Sequence, residues 1–166
     1  MPLAGAKVRA SDVEYLVDYE EETNDVALSA TAGTYTALVT GNAVTVKAGK
    51  LYRVEVLCGA YLISSGASFA TGDTWRFRLE RDDGGGFITM ASTKAVRMNV
   101  AIAAVAPTPT LVGYYSPAAD DTVTFRARAA KTSGNAGVNS TVSVDSGEGT
   151  IQLAVTCVGD SSGSLH

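Results

Sequence analysis

The chain has a single histidine in 166 residues, and it is the last of them, His166. A Ser-His-Asp or Cys-His mechanism would have to take its base from the end of the tail, so neither is expected. Cysteine is nearly as scarce. Cys58 and Cys157 fall short of the three or four ligands of a zinc site, and both stand in phase with apolar neighbours, as free buried thiols do. Charge is thin too: Lys, Arg, Asp and Glu make up 18% of residues and the net charge is −4, without the clustered basic footprint that nucleic acid requires. No nucleic-acid partner is expected. The longest apolar run, 100–107, is far below the roughly 20 residues of a membrane-spanning helix. Residues 1–10 contain basic residues but no apolar core of signal-peptide length. A soluble chain with no membrane partner and no export signal is expected.

Among the carboxylates, the neighbouring pairs Asp82-Asp83 and Asp120-Asp121 are the only hint of acid-base or calcium chemistry. Adjacent strand residues point to opposite faces, and both pairs lie at turn signals where Asp bonds its own backbone. The run Asp82–Gly86 lacks the spaced oxygens of an EF-hand, and its three glycines lack the Lys and the helix of a phosphate loop. No catalytic residue, metal ligand or cofactor is therefore expected, and the chain reads as a non-enzyme.

What the sequence does have is alternation. In Lys50–Leu62, KLYRVEVLCGAYL, Tyr52, Val54, Val56 and Cys58 fall on one side of a two-residue period and Arg53 and Glu55 on the other, which predicts a central half-buried strand. The same grammar returns in Trp75, Phe77 and Leu79 against Arg76, Arg78 and Glu80. That strand turns at Arg81–Gly86 and pairs with Phe87–Met90 as a hairpin. It returns again in Val96–Ile102, ended before Pro107 and Pro109, in Leu111–Tyr115, and in Thr122–Ala129, where Val123, Phe125 and Ala127 oppose Thr124, Arg126 and Arg128. Further strands are expected over Thr141–Val144 and Ile151–Cys157. Thr34–Val39 and Ala43–Lys47 are expected to form a hairpin through a Gly41-Asn42 turn, and Lys131–Gly137 to be loop. About nine short strands between turn signals predict an all-β fold, a two-sheet β-sandwich of jelly-roll type. An immunoglobulin-type sandwich is the alternative, disfavoured by the missing Cys, Trp, Cys spacing.

Trp75 and Phe77 share the phase of Leu79 and so belong to the core. One of the neighbours Tyr114 and Tyr115 must face outward or into a subunit contact. The opening is different in kind. Ser11-Asp12-Val13-Glu14 has capping-box spacing, predicting a short helix from Asp12 to about Val17 that stops before the acidic run Glu20–Glu22. The expected organisation is an N-terminal arm over 1–25, a sandwich over 26–158 and a polar tail over 159–166.

The opening MPLAGAKVRASD, Met1–Asp12, resembles the start of small virion proteins of tailed bacteriophages, especially those of actinobacteria. In these a segment of the form L-A-G-x-x-V-R-A-S-D precedes a β-rich body. The blocks Gly49–Val54, Trp75–Leu79 and Tyr115–Ala127 look like strands of phage jelly-roll modules. The resemblance implies a structural protein made in the host cytoplasm and located in the virion. Its arm, with Leu3, Val8, Arg9, Asp12 and Leu16 as candidate docking residues, would meet other capsid or tail proteins, and its sandwich would be displayed outward as a homo-oligomer. Minor tail protein and capsid decoration protein are the two forms of that role. The runner-up is a receptor- or carbohydrate-binding module of the tail, meeting a host surface glycan through Tyr114 or Tyr115.

Overall fold

Val54, Val56, Phe77, Phe125 and Val155, all on inward phases of their strands, are fully buried in one continuous core. Such a core needs a second sheet laid over the first, because a lone sheet buries one face only by packing against another layer. The structure, a computed structural model, describes residues 14–65, 69–97, 104–105, 110–134, 139–144 and 149–160. Among the described residues there are twelve strands and no helix. They are β1 (Tyr15–Glu22), β2 (Val26–Ala27), β3 (Thr36–Val46), β4 (Lys50–Cys58), β5 (Tyr61–Ser65) and β6 (Thr74–Asp82), followed by β7 (Ile88–Arg97), β8 (Ala104–Val105), β9 (Leu111–Tyr115), β10 (Asp121–Ser133), β11 (Asn139–Ser143) and β12 (Ile151–Asp160).

Hydrogen bonding sorts them into sheet A, ordered β1-β12-β4-β9, sheet B, ordered β2-β11-β5-β8, and sheet C, ordered β3-β10-β6-β7. Every pair is antiparallel. Sheets A and B have one and the same order, since β2 follows β1, β5 follows β4, β9 follows β8 and β12 follows β11 along the chain. Sheet B thus prolongs sheet A beyond a break. At that break the Gly59 amide donates to the Thr150 carbonyl at 3.1 Å. Gly149 there has φ +115° and lies so near that a Cβ on it would stand 3.2 Å from Gly59 Cα. Counted as eight composite strands, one layer runs 1-8-3-6 and the other 2-7-4-5, the interleaving of a jelly roll. At the two sides of the sandwich β1 packs on β3 and β9 on β7.

Several expectations are corrected. Where a helix to about Val17 was expected, Tyr15–Glu22 is the edge strand of sheet A, paired with β12 from Tyr15↔Cys157 to Glu22↔Ile151. Without it the outer edge of β12 would be left unpaired, and Val17, at a bulge in β1, packs on the core. The acidic run lies inside this strand, where alternation divides its charges between two sides. Gly41-Asn42 is not a hairpin turn either. It is a bulge inside the single strand β3, where the pairing with β10 steps from Ala43↔Thr124 to Thr40↔Arg126. A Cβ on Gly41 would stand 2.6 Å from Asp18 Oδ2 and 3.2 Å from Leu153 Cδ2, so glycine lets these side chains of the other layer lie against the strand. The central strand stops at Cys58 and resumes as β5, β7 runs unbroken through the expected gap between Met90 and Val96, and β12 continues to Asp160. The expected strand beyond Arg97, the two prolines after it and the tail over 161–166 lie outside the described residues.

Lys131, expected in a loop, lies within β10. It keeps the inward phase of Phe125, Ala127 and Ala129 and pairs with Trp75. Its ammonium is buried 3.8 Å from Asp73 Oδ1, itself fully buried, and 5.8 Å from the Trp75 ring. Asp73 also accepts the Ala70 amide at 2.9 Å. Gly134, at φ +109°, passes so close to Asp73 that no side chain fits there.

Candidate functional site

Alternation sends Arg53, Glu55 and Leu57 of β4 out of sheet A, and register fixes what stands beside them. Three cross-strand rows result: Leu16, Thr156, Arg53 and Tyr114; then Tyr19, Ala154, Glu55 and Val112; then Glu21, Gln152 and Leu57. Leu16, Tyr19, Leu57 and Tyr114 are 60, 44, 45 and 61% exposed, four of the six large apolar side chains the described residues show to solvent. Single exposed apolar residues are ordinary, but four on one sheet face form a patch. Within it Arg53 and Glu55 form an ion pair at 3.7 Å.

Two of the residues singled out in the sequence, Leu16 and Tyr114, therefore stand at opposite ends of one row. Tyr115 takes the other phase. Its ring packs edge-on against Phe125 at 6.0 Å and under the Arg81 guanidinium at 4.4 Å, and burial raises its hydroxyl pKa above the usual value, with Arg81 opposing. Tyr15, half exposed at the edge of β1, also titrates high, chiefly because its hydroxyl bonds Cys157 and then through partial burial. Leu3, Val8, Arg9 and Asp12 lie outside the described residues.

The paired carboxylates do turn chemistry. Asp82 accepts the amides of Gly84 and Gly86, each at 2.9 Å, Asp83 pairs with Arg81, and Asp121 accepts the Thr122 amide. Asp120 ties two turns together by accepting from Lys47 Nζ at 2.7 Å and the Ala48 amide at 2.9 Å. Lys47 and then the Ala48 amide hold its carboxyl below the ordinary range. Among the described residues no three His, Cys, Asp or Glu side chains gather as metal ligands. Cys58 and Cys157 are both buried. They face Ile151 and Tyr52 at opposite ends of the β4–β12 pair, about 20 Å apart at strand rise.

A second feature is the outer face of sheet C. Arg76, Arg78 and Glu80 of β6 and Arg126 and Arg128 of β10 share its outward phase. Glu80 is buried beneath Arg126 at 2.9 Å and Arg128 at 3.6 Å. The guanidiniums lie over rings: Arg126 over Phe87, and Arg78 and Arg128 over Tyr35, at 4.0 and 5.7 Å. Arg128 also donates to the Tyr35 carbonyl. The alternation marked each arginine as outward, but the adjacency of β6 and β10, nearly forty residues apart in sequence, is what gathers them.

No family model matches the chain. No curated protein does either. Solved structures with a related arrangement include an Eiger TNF from S. frugiperda, at 13% identity and TM-score 0.47, covering 89% of this chain and 94% of that one. A CBM22-1 xylan-binding domain of Paenibacillus barcinonensis Xyn10C matches at 11% identity and TM-score 0.34 over 86% and 87%. A chain of infectious bursal disease virus, Gt strain, matches at 15% and 0.34 over 97% of this chain and 41% of that one. No residue role passes from these proteins to this chain, whose all-β jelly roll is carried by its strand order.

Proposed function

We propose that this chain is a non-enzymatic structural protein of a tailed-phage virion, a minor tail or capsid decoration protein, that docks through its opening segment and the outer face of sheet A. The observation that carries this is the row joining Leu16 to Tyr114, with Tyr19 and Leu57 beside it. The strand supplying Leu16 and Tyr19 continues directly from the phage-like opening. Four strands about 4.8 Å apart and three rows about 6.8 Å apart cover about 400 Å², half of the roughly 800 Å² per partner of a stable contact. The opening segment supplies the remainder.

The test follows from β1. Removing residues 1–25 would strip an integral strand from sheet A, so the informative deletion is 1–12. The shortened chain should keep the melting transition of the full one and fail to enter particles; normal incorporation would overturn the docking role. A second reading, glycan binding, is favoured by the exposed Tyr114 ring beside the Arg53–Glu55 pair, since sugars stack on open aromatic faces. Saturable glycan binding lost in Tyr114→Ala, with incorporation intact, would select it.

A further inference from the structure

Charge is distributed unevenly over this fold, and its two extremes are complementary. Among the described residues, four guanidiniums on the outer face of sheet C meet one carboxylate, that of Glu80, while Asp82 is turned into its own loop. Arg78 stands directly opposite Arg128, an arrangement of like charges that costs stability unless an anion joins it. Neither Arg76 nor Arg78 comes within 4 Å of a carboxylate among the described residues. The other extreme is 14–25, with six acids, Glu14, Asp18, Glu20, Glu21, Glu22 and Asp25, and no Lys or Arg. None of these six reaches a cation among the described residues. Their bonds go to neutral donors such as Asn42, Thr150 and Ser143. Elsewhere Glu55, Asp73, Glu80, Asp83, Asp120 and Asp160 each have a basic partner. Among the described residues, then, acids without a cation stand on one edge strand and arginines without a carboxylate on another face.

We propose that the arginine face of sheet C receives the acidic strand β1 of a second copy of this chain. Charge complementarity selects that occupant. A long polyanion would be repelled by the net charge of −4, whereas β1 brings carboxylates together with the exposed Tyr15, and aromatic and Arg side chains are the residues that anchor protein contacts. Face and edge are different surfaces, so the contact is heterologous, and copies join head to tail into a ring or a stack. This goes beyond the docking role above and is tested without particles.

The experiment is sedimentation velocity of the full chain over a range of ionic strength. Self-association is expected at about 0.01 M, where the screening length is about 30 Å, and should weaken at least about tenfold by 1 M, where it is about 3 Å. Arg76→Glu/Arg78→Glu and Glu21→Lys/Glu22→Lys should each be monomeric alone and associate when mixed, because each restores the partner the other lacks. Restoration also shows that both fold, and Arg76→Glu alone, at an exposed position, should weaken association in the same direction. Wild type that stays monomeric at every ionic strength, including one that instead binds an acidic polysaccharide, overturns the proposal. So do reversed variants that associate as wild type does.

Discussion

Replacing Lys131 with Met removes the positive half of a pair whose other half, Asp73, has no exposed surface. Met fills a comparable unbranched volume, so the loss is electrostatic rather than a cavity. Taking one partner from a buried pair costs about 3–5 kcal/mol, because the remaining charge stays desolvated. Against a total stability of about 5–15 kcal/mol this is severe, and at about 2–4 °C per kcal/mol for a chain of this size it lowers the melting temperature by about 6–20 °C. The double variant Lys131→Met/Asp73→Asn should recover most of the loss. Its amide oxygen still accepts the Ala70 amide, and neutral replacements of buried pairs are often nearly cost-free. Urea unfolding of the four proteins, with the denaturant slope unchanged, should give a coupling energy of about 3 kcal/mol, the upper range for touching residues. A single variant costing under about 1 kcal/mol, or a double variant equal to the sum of its parts, would refute the reasoning.

Two further outcomes follow from the same geometry. Phe125→Ala should cost about 3–5 kcal/mol by opening a cavity beneath Tyr115, measured by the same unfolding; under about 1 kcal/mol would mean the ring does not face the core. Asp120 carries a depressed folded pKa, so its contribution is complete above the ordinary carboxylate value near about 4 and is lost as pH falls through the folded value. Asp120→Asn should therefore flatten that part of the acid limb in a pH series of melting temperatures, and an unchanged limb would show that the tie to Lys47 and Ala48 does not persist in solution.

The phase of the long strands was legible because each pleat carries its own record of inside and outside: Val54, Phe77, Phe125 and Val155 needed no partner to be placed. Adjacency left no such record. Arg76, Arg78, Arg126 and Arg128 read as four separate solvated side chains until β6 and β10 are set side by side. Gly41 reads as a turn because glycine permits turns, whereas it lies inside a strand in close approach to Asp18 and Leu153. Lys131 broke the apolar run as a polar residue, and its burial beside Asp73, far away in sequence, left no sign in its own strand. The capping box misled because Ser11–Glu14 is a local signal, and the demand of β12 for a partner along its outer edge is not local. The candidate faces were half visible, with Leu16 and Tyr114 singled out for separate reasons and joined only by register.

Strand β12 sits between β1 and β4, so Tyr15 can find Cys157 only after the more than 140 residues that run from one to the other have left the ribosome. Until then both flanking strands offer bare edges, and long-range pairings of this kind are slow to form. A product cut short anywhere before Ile151 could not close sheet A and so could not offer the surface formed by Leu16 and Tyr114. Closure of sheet A and the making of that surface are thereby one and the same event.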